Sequence, residues 1–342
     1  MDQADDCGPN VGGLCMHMAD ALLSPAVGGI MWAASAAAVA RSSRKIQQEL
    51  DGNRIPLMGM LAAFVFTAQM INFSIPGTGS SGHLGGGLLL AILLGPDAAL
   101  LATASVLVIQ ALFFADGGLL ALGCNIFNLG FLPAFVAYPL VFRPLATGKA
   151  GQLPRALAVL LGAVVGLQLG AFGVVVETVL SGRTALTFRA FLLAMQPIHL
   201  AIGLVEGVVT LSLLAFLQKA RLELPRPTEQ ADTAGRATVA LGLLTLLLGG
   251  WVAWYASKHP DGLEWAIQRV TGQSELQGTA SGWHGRLARV QATTAVLPDY
   301  QFKGSQEGSR AVTSLSGVMG GAMTLVLVAG AGWILHLRKR RA

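Results

Sequence analysis

The sequence predicts an all-α polytopic membrane protein, and three observations carry the prediction. Of its 342 residues, 53% are hydrophobic and 12% charged, about half the charged share of a soluble domain. Mean hydropathy is +0.61. Long apolar runs recur along the chain, and clusters of Lys and Arg fall on every second connection between them. The net charge of +5 is therefore a feature of membrane topology. The expected surroundings are lipid, with no nucleic-acid partner.

Taken in order, residues 1–15 read as a leader of uncertain status. Asp2, Asp5 and Asp6 stand where a secretory signal carries positive charge, and an apolar core is missing. Crossing ~30 Å of hydrocarbon takes ~20 helical residues. Hydrophobic segments of about that length lie near 24–41, 56–74, 84–96, 97–115, 124–142, 154–180, 189–217, 237–257 and 313–336. The third is short and Gly-rich, which predicts a tilted or broken helix that protein or a cavity must cover. Residues 16–218 form one apolar block. Residues 219–236, with Pro225 and Pro227, read as a cytoplasmic linker. Residues 237–342 read as a second module of two spans around a polar, mobile external loop that begins His259-Pro260-Asp261-Gly262-Leu263-Glu264-Trp265.

Arg41, Arg44, Lys45 and Arg54 follow the first segment, and Arg143, Lys149 and Arg155 the fifth. Lys219, Arg221, Arg226 and Arg236 follow the seventh, and Arg338 to Arg341 the ninth. If these clusters are cytoplasmic, the N-terminus is outside and the C-terminus inside. His17, the loop 76–87, Asp116, Asn125 and Asn128 then share the external face.

Two histidines on that face point to metal. With Met16 as first residue, its α-amine, the deprotonated amide of His17 and the His17 imidazole close a five-membered and a six-membered chelate ring. His83, set among Gly77, Gly79, Gly82, Gly85, Gly86 and Gly87, would supply a fourth nitrogen. Planar nitrogen ligation suits Ni²⁺ or Cu²⁺. Two readings of His83 stand beside each other: a ligand held by a tight loop, or a loop residue bonded to backbone. Attached residues 1–15 would remove the amine. His199 and Glu206, seven apart on one helical face, read first as a contact that holds helices together, and as a functional pair second. The alanine-rich face of the first span, from Ala33 to Ala40, packs either internally or against a partner.

Other chemistries are limited by what is missing. No Walker A sequence is present, so ATP would be hydrolysed by other chains, and there is no H-E-x-x-H. Cys7, Cys15 and Cys124 match no zinc spacing and no disulfide framework. A rhomboid-like intramembrane serine protease is the rival reading, with Ser81 as nucleophile and His199 as base. It leaves His17 and the second module unexplained.

Several stretches carry a family resemblance: Met16-His17-Met18-Ala19-Asp20-Ala21-Leu22-Leu23-Ser24-Pro25, Gln69-Met70-Ile71-Asn72-Phe73, Pro76 to Gly87, Phe113 to Gly118, and Gly123-Cys124-Asn125-Ile126-Phe127-Asn128. Residues 16–217 resemble the CbiM/NikM family, the substrate-binding membrane component of cobalt or nickel energy-coupling-factor importers. Pro260-Asp261-Gly262-Leu263-Glu264 resembles the NikN-type module of fused proteins. The resemblance implies a bundle of about seven helices plus a two-helix module in a bacterial cytoplasmic membrane. It implies a transporter subunit and no enzyme. Its partners would be a CbiQ/NikQ-type coupling subunit and CbiO/NikO-type ATPases. The implied ligands are Met16, His17 and His83, supported by Asp20, Ser81, Asn125 and Asn128. The transported Ni²⁺ or Co²⁺, with the tail favouring nickel, is the sole ion implied, and no further cofactor.

Overall fold

The structure, a computed structural model, describes residues 17–49, 55–146, 151–220, 231–273, 281–302 and 309–341. The leader, Met16 and linker residues 221–230 lie outside the described residues. Each of the nine apolar segments read from the sequence contains a helix. The nine are α1 (Pro25–Glu49), α2 (Ile55–Gln69), α3 (Gly87–Leu94), α4 (Pro96–Phe113), α5 (Leu122–Ala146), α6 (Gln152–Ser181), α7 (Phe188–Lys219), α8 (Ala231–Gly250) and α11 (Arg310–Arg341). Between the last two lie α9 (Gly262–Thr271) and α10 (Gly282–Thr294).

The chain is a multi-pass membrane protein. Among the described residues, six helices are long and apolar enough to cross a membrane: those at 96–113, 122–146, 152–181, 188–219, 235–255 and 310–339. α2 is apolar but only 15 residues long. It is buried along nearly its whole length because α8 and α11 of the C-terminal part pack on it. The backbones of α8 and α11 touch where Gly249 meets Gly317; a Cβ at Gly317 would lie 2.5 Å from the Gly249 carbonyl oxygen. Small residues permit that approach in a bilayer, where close packing holds helices together.

Two departures from the sequence reading shape the site. Residues 73–82 form an antiparallel hairpin, β1 (Phe73–Ile75) with β2 (Ser80–Gly82), in the register Phe73↔Gly82 and Ile75↔Ser80. The polar loop of the second module, expected to be mobile, is folded into helices over much of its described length. Asp261 caps α9 through a capping box with Glu264, α9 packs on α7, and α10 packs on α4.

α5 carries wide, i→i+5 hydrogen-bonded turns from Phe127 through Phe142. Pro133 and Pro139 lie within this stretch; each lacks an N–H and disturbs the α-helical ladder. At the end of the bundle away from the hairpin, Lys45, Ser42 and Arg41 of α1 bond Asp97 at 2.8, 3.0 and 3.4 Å. That carboxylate sits in the first turn of α4, where the helix dipole favours negative charge.

Candidate metal site

His17 and His83, 66 residues apart in the sequence, meet at one end of the bundle. Their ring centroids are 5.2 Å apart with the planes tilted by 53°. His17 is buried, at 3% exposure. The segment that carries it is threaded into the bundle by Met18, Leu22 and Leu23, all buried. Polar bonds fix its path. Asn125 pairs with the Met18 backbone like a strand neighbour, accepting from N at 3.2 Å and donating to O at 3.3 Å. Gly118 N donates to Met18 O at 3.0 Å. Asp20 Oδ1 accepts from Ala121 N at 2.9 Å. Burial raises the Asp20 pKa against these backbone bonds.

His83 follows the hairpin. The peptide behind it is pinned from both sides. Glu206 of α7 accepts from Gly85 N at 2.8 Å and Gly86 N at 3.1 Å, and Gln69 of α2 donates to Gly85 O at 2.9 Å. Glu206 thus binds the orphan donors ahead of α3. The helix-holding contact expected of His199 and Glu206 is not made by the pair: His199 Nδ1 donates to Met195 O, one turn back on the same helix, at 2.8 Å, while Glu206 reaches across to the loop.

Both ligand candidates turn Nδ1 toward their supports. His83 Nδ1 donates to Leu84 O at 3.2 Å. His17 Nδ1 lies 3.0 Å from Asp116 Oδ1, in the carboxylate–imidazole arrangement that orients metal-binding histidines. Burial works against a charge on Asp116. Even so, neighbouring His17 and the hydrogen bonds from His17 and Tyr300 hold its carboxyl below the usual range. The six-membered chelate ring read from the sequence closes through Nδ1, so forming it requires the His17 ring to turn away from Asp116.

Both histidines line a cavity of ≈ 70 Å³, room for an ion and a few waters. It is lined by His17, His83, His199, Asn128, Glu206 and Asp261 among others. Asn128 donates to Glu177 Oε2 at 2.8 Å. Among the described residues, no three His, Cys, Asp or Glu side chains converge closely enough to hold a metal, so a full ligand set needs backbone nitrogens or water. The Ser81–His199 pair of the protease reading is not assembled. Ser81 Oγ donates to His259 O at 2.8 Å, and its N–H donates to Pro260 O at 2.8 Å.

The sequence profile of a family described as the cobalt uptake substrate-specific transmembrane region matches residues 17–224, and that of the PDGLE domain matches residues 235–337. The chain belongs to the cobalt uptake family. It is 32% identical over 313 residues to the putative fused nickel transport protein NikMN of Archaeoglobus fulgidus, covering 91% of this chain and 96% of that one. Identity to the fused nickel transport protein NikMN of Rhodobacter capsulatus is 31%, over 94% and 98% of the two chains. A solved truncated transition metal transporter superposes with a TM-score of 0.53 at 32% identity, covering 60% of this chain and 99% of that one.

Within this family frame, the PDGLE segment forms one wall of the cavity. Asp261, Gly262 and Leu263 face into it. Burial first, and Glu264 second, raise the Asp261 pKa well above its ordinary value. Trp265 Nε1 donates to Thr78 O at 3.0 Å, which fastens the segment to the hairpin turn. His259 is exposed, and His284 is buried with Nε2 donating to Leu23 O at 2.8 Å. The sequence placed Asp116 on the same face as His17 but gave it no partner. It gave Tyr300 and Asp261 no role, since no local pattern links residues so far apart.

Proposed function

We propose that this chain is the ion-capturing component of an ATP-driven energy-coupling-factor importer for a divalent transition metal. The observation that carries the reading is the pair of buried or half-buried imidazoles, 5.2 Å apart, facing an ion-sized cavity. The basic helix ends Arg41–Lys45, Arg143, Lys219 and Arg338–Lys339 all lie at the opposite end of their helices from this site. The positive-inside bias then makes the cavity external and the C-terminus cytoplasmic. ATPases and a coupling subunit in other chains drive release inward.

Nickel is favoured over cobalt, because the relatives that match over more than nine-tenths of this chain are named as nickel transport proteins. His17 and His83 supply imidazole ligands. Asp20, Asn125 and Gly118 hold the His17 segment, and Glu206 and Gln69 hold the His83 loop. In a mature chain that begins at Met16, the amine and the His17 amide complete a planar set, and the His17 ring turns Nδ1 from Asp116 to the metal. In a chain that keeps residues 1–15, His17 ligates through Nε2. Intact mass and the Ni²⁺ absorption spectrum, measured on one preparation, assign the mode.

The test is His83→Ala in the full chain. Membrane insertion persists, since the glycines and Glu206 carry the loop, while tight binding of Ni²⁺ and Co²⁺ is lost. Wild-type affinity in that variant would remove His83 from the ligand set.

A further inference from the structure

Two groups that line the cavity have no part in the ligand set described above. His199 stands on α7, half-buried, and its Nδ1 donates to Met195 O at 2.8 Å. A carbonyl only accepts, so the neutral ring carries its proton on Nδ1 and its lone pair on Nε2. Among the described residues, nothing hydrogen-bonds to that Nε2. His83 holds the same tautomer, with Nδ1 on Leu84 O. A backbone carbonyl on one ring nitrogen is a common way of aiming the other at a metal. The second group, Asp261, is 3% exposed and comes from the C-terminal module. Its carboxylate caps α9, accepting from Glu264 N at 2.8 Å, but among the described residues it forms no ion pair. Buried carboxylates are ordinarily paired with a cation. One that lines a cavity beside imidazoles and lacks a cation points to a cation as its ligand.

A glycine brings the two together. Gly262, next to Asp261, packs on the His199 ring: a Cβ there would lie 3.1 Å from His199 Cε1 and 3.0 Å from Ile202 Cδ1. The segment passes from exposed His259 to buried Asp261 in two residues, so this wall leads from solvent to the cavity. Burial works against the charged form of Asp261 while the cavity is empty, and a cation beside the carboxyl favours it. The metal site itself leaves a task unfilled. In the empty site the His17 ring rests on Asp116, and closing the chelate through Nδ1 requires that ring to turn away. The planar set also requires the His17 amide to lose its proton. An ion that arrives with its water shell therefore meets a set of ligands not yet formed.

We propose that His199 and Asp261 form a holding site for the incoming divalent ion: His199 Nε2 and the Asp261 carboxylate bind it with part of its water shell until the His17 ring has turned, and then yield it to the planar nitrogen set. Imidazole is a ligand for first-row ions, and carboxylate for hydrated ones. Among the described residues, no three His, Cys, Asp or Glu side chains converge on a metal, so water completes the shell. A site that must give up its ion needs no more than two protein ligands. The proposal rests on the reading of this cavity as the place of metal capture, with His17 and His83 as the final imidazole ligands.

The experiment mixes the purified full chain with Ni²⁺ by stopped flow and follows the absorbance of the chelate, comparing wild type with His199→Leu, Asp261→Asn and His83→Ala. Asn caps a helix about as well as Asp, so Asp261→Asn keeps α9 and loses the charge. His199→Leu keeps a side chain of similar bulk against Gly262. In wild type the rate of chelate formation rises with Ni²⁺ and then levels off, because the holding site fills before the slower turn of the ring. In each of the two variants the second-order rate constant falls about tenfold, the worth of one charge-assisted contact, and the levelling moves to higher Ni²⁺. Release slows in the same proportion, so equilibrium affinity stays near the wild-type value. Formation as fast as wild type in both variants would overturn the proposal. So would a loss of equilibrium affinity as large as the loss of rate, which would make the two groups ligands of the final complex or props of its fold. Wild-type affinity in His83→Ala would instead place the failure with the ligand assignment itself.

Discussion

Gly118 sits where no side chain fits. A Cβ there would collide with the carboxylate and backbone of Asp20, so Gly118→Ala pushes the segment 17–23 out of its groove. The Asp20–Ala121 and Gly118–Met18 bonds are strained together. Overpacking of this kind costs about 1–3 kcal/mol, and each 1.4 kcal/mol is about tenfold in affinity. The expected outcome is metal affinity reduced roughly tenfold or more with insertion intact, read by Ni²⁺ titration. Ser81 makes a contrasting case. Its hydroxyl serves the carbonyls of His259 and Pro260, so Ser81→Ala costs about 1 kcal/mol of module docking. It should raise protease sensitivity around residues 256–262 while lowering affinity far less than His83→Ala. Equal losses in the two variants would give Ser81 a direct part in binding.

At the scale of elements, α7 does more than span. It carries Glu206 to the N–H groups of Gly85 and Gly86, and these two bonds stop the His83 loop from opening. Glu206→Ala leaves two buried donors without their acceptor, at about 1–3 kcal/mol each. Glu206→Gln keeps an oxygen that can accept and should retain more of the affinity. An alanine variant that binds as tightly as the glutamine variant would show that the loop holds itself. Helices of this kind were legible in the sequence, because a span announces itself by length and apolarity. The hairpin was not: residues 73–82 have no alternating pattern, and β2 is also bonded by a residue far away in the chain, Pro260, whose carbonyl accepts from Ser81 N. The fold of α9 and α10 was also hidden. Their polar sequence reads as a loop until α7 and α4 are present to cover their apolar sides. His17 and His83 were legible as chemistry, but Asp116, 99 residues from one partner and 184 from the other, could be paired only in three dimensions.

The whole molecule is two stretches of chain that share one core and one site. α8 and α11 bury α2, and the segment between them walls the cavity and brings Tyr300 to Asp116. A chain truncated after about residue 220 therefore keeps His17, His83, Asn125 and Glu206. It loses the Asp261 wall and the hold on Asp116, and it exposes the apolar face of α2 to lipid. It should still bind one metal ion per chain, about tenfold more weakly. Uptake should be slower in cells that supply the coupling subunit and ATPases. A His259→Ala/His284→Ala double variant separates loss of the module from loss of its imidazoles. His259 is exposed, and His284 bonds the Leu23 carbonyl, so the double variant should loosen the N-terminal segment slightly and still bind metal at equilibrium. If it loses binding while the truncated chain keeps it, the His284 tether and not a ligand is at fault. If both lose binding outright, the ligands reside in the module, and the assignment to His17 and His83 falls.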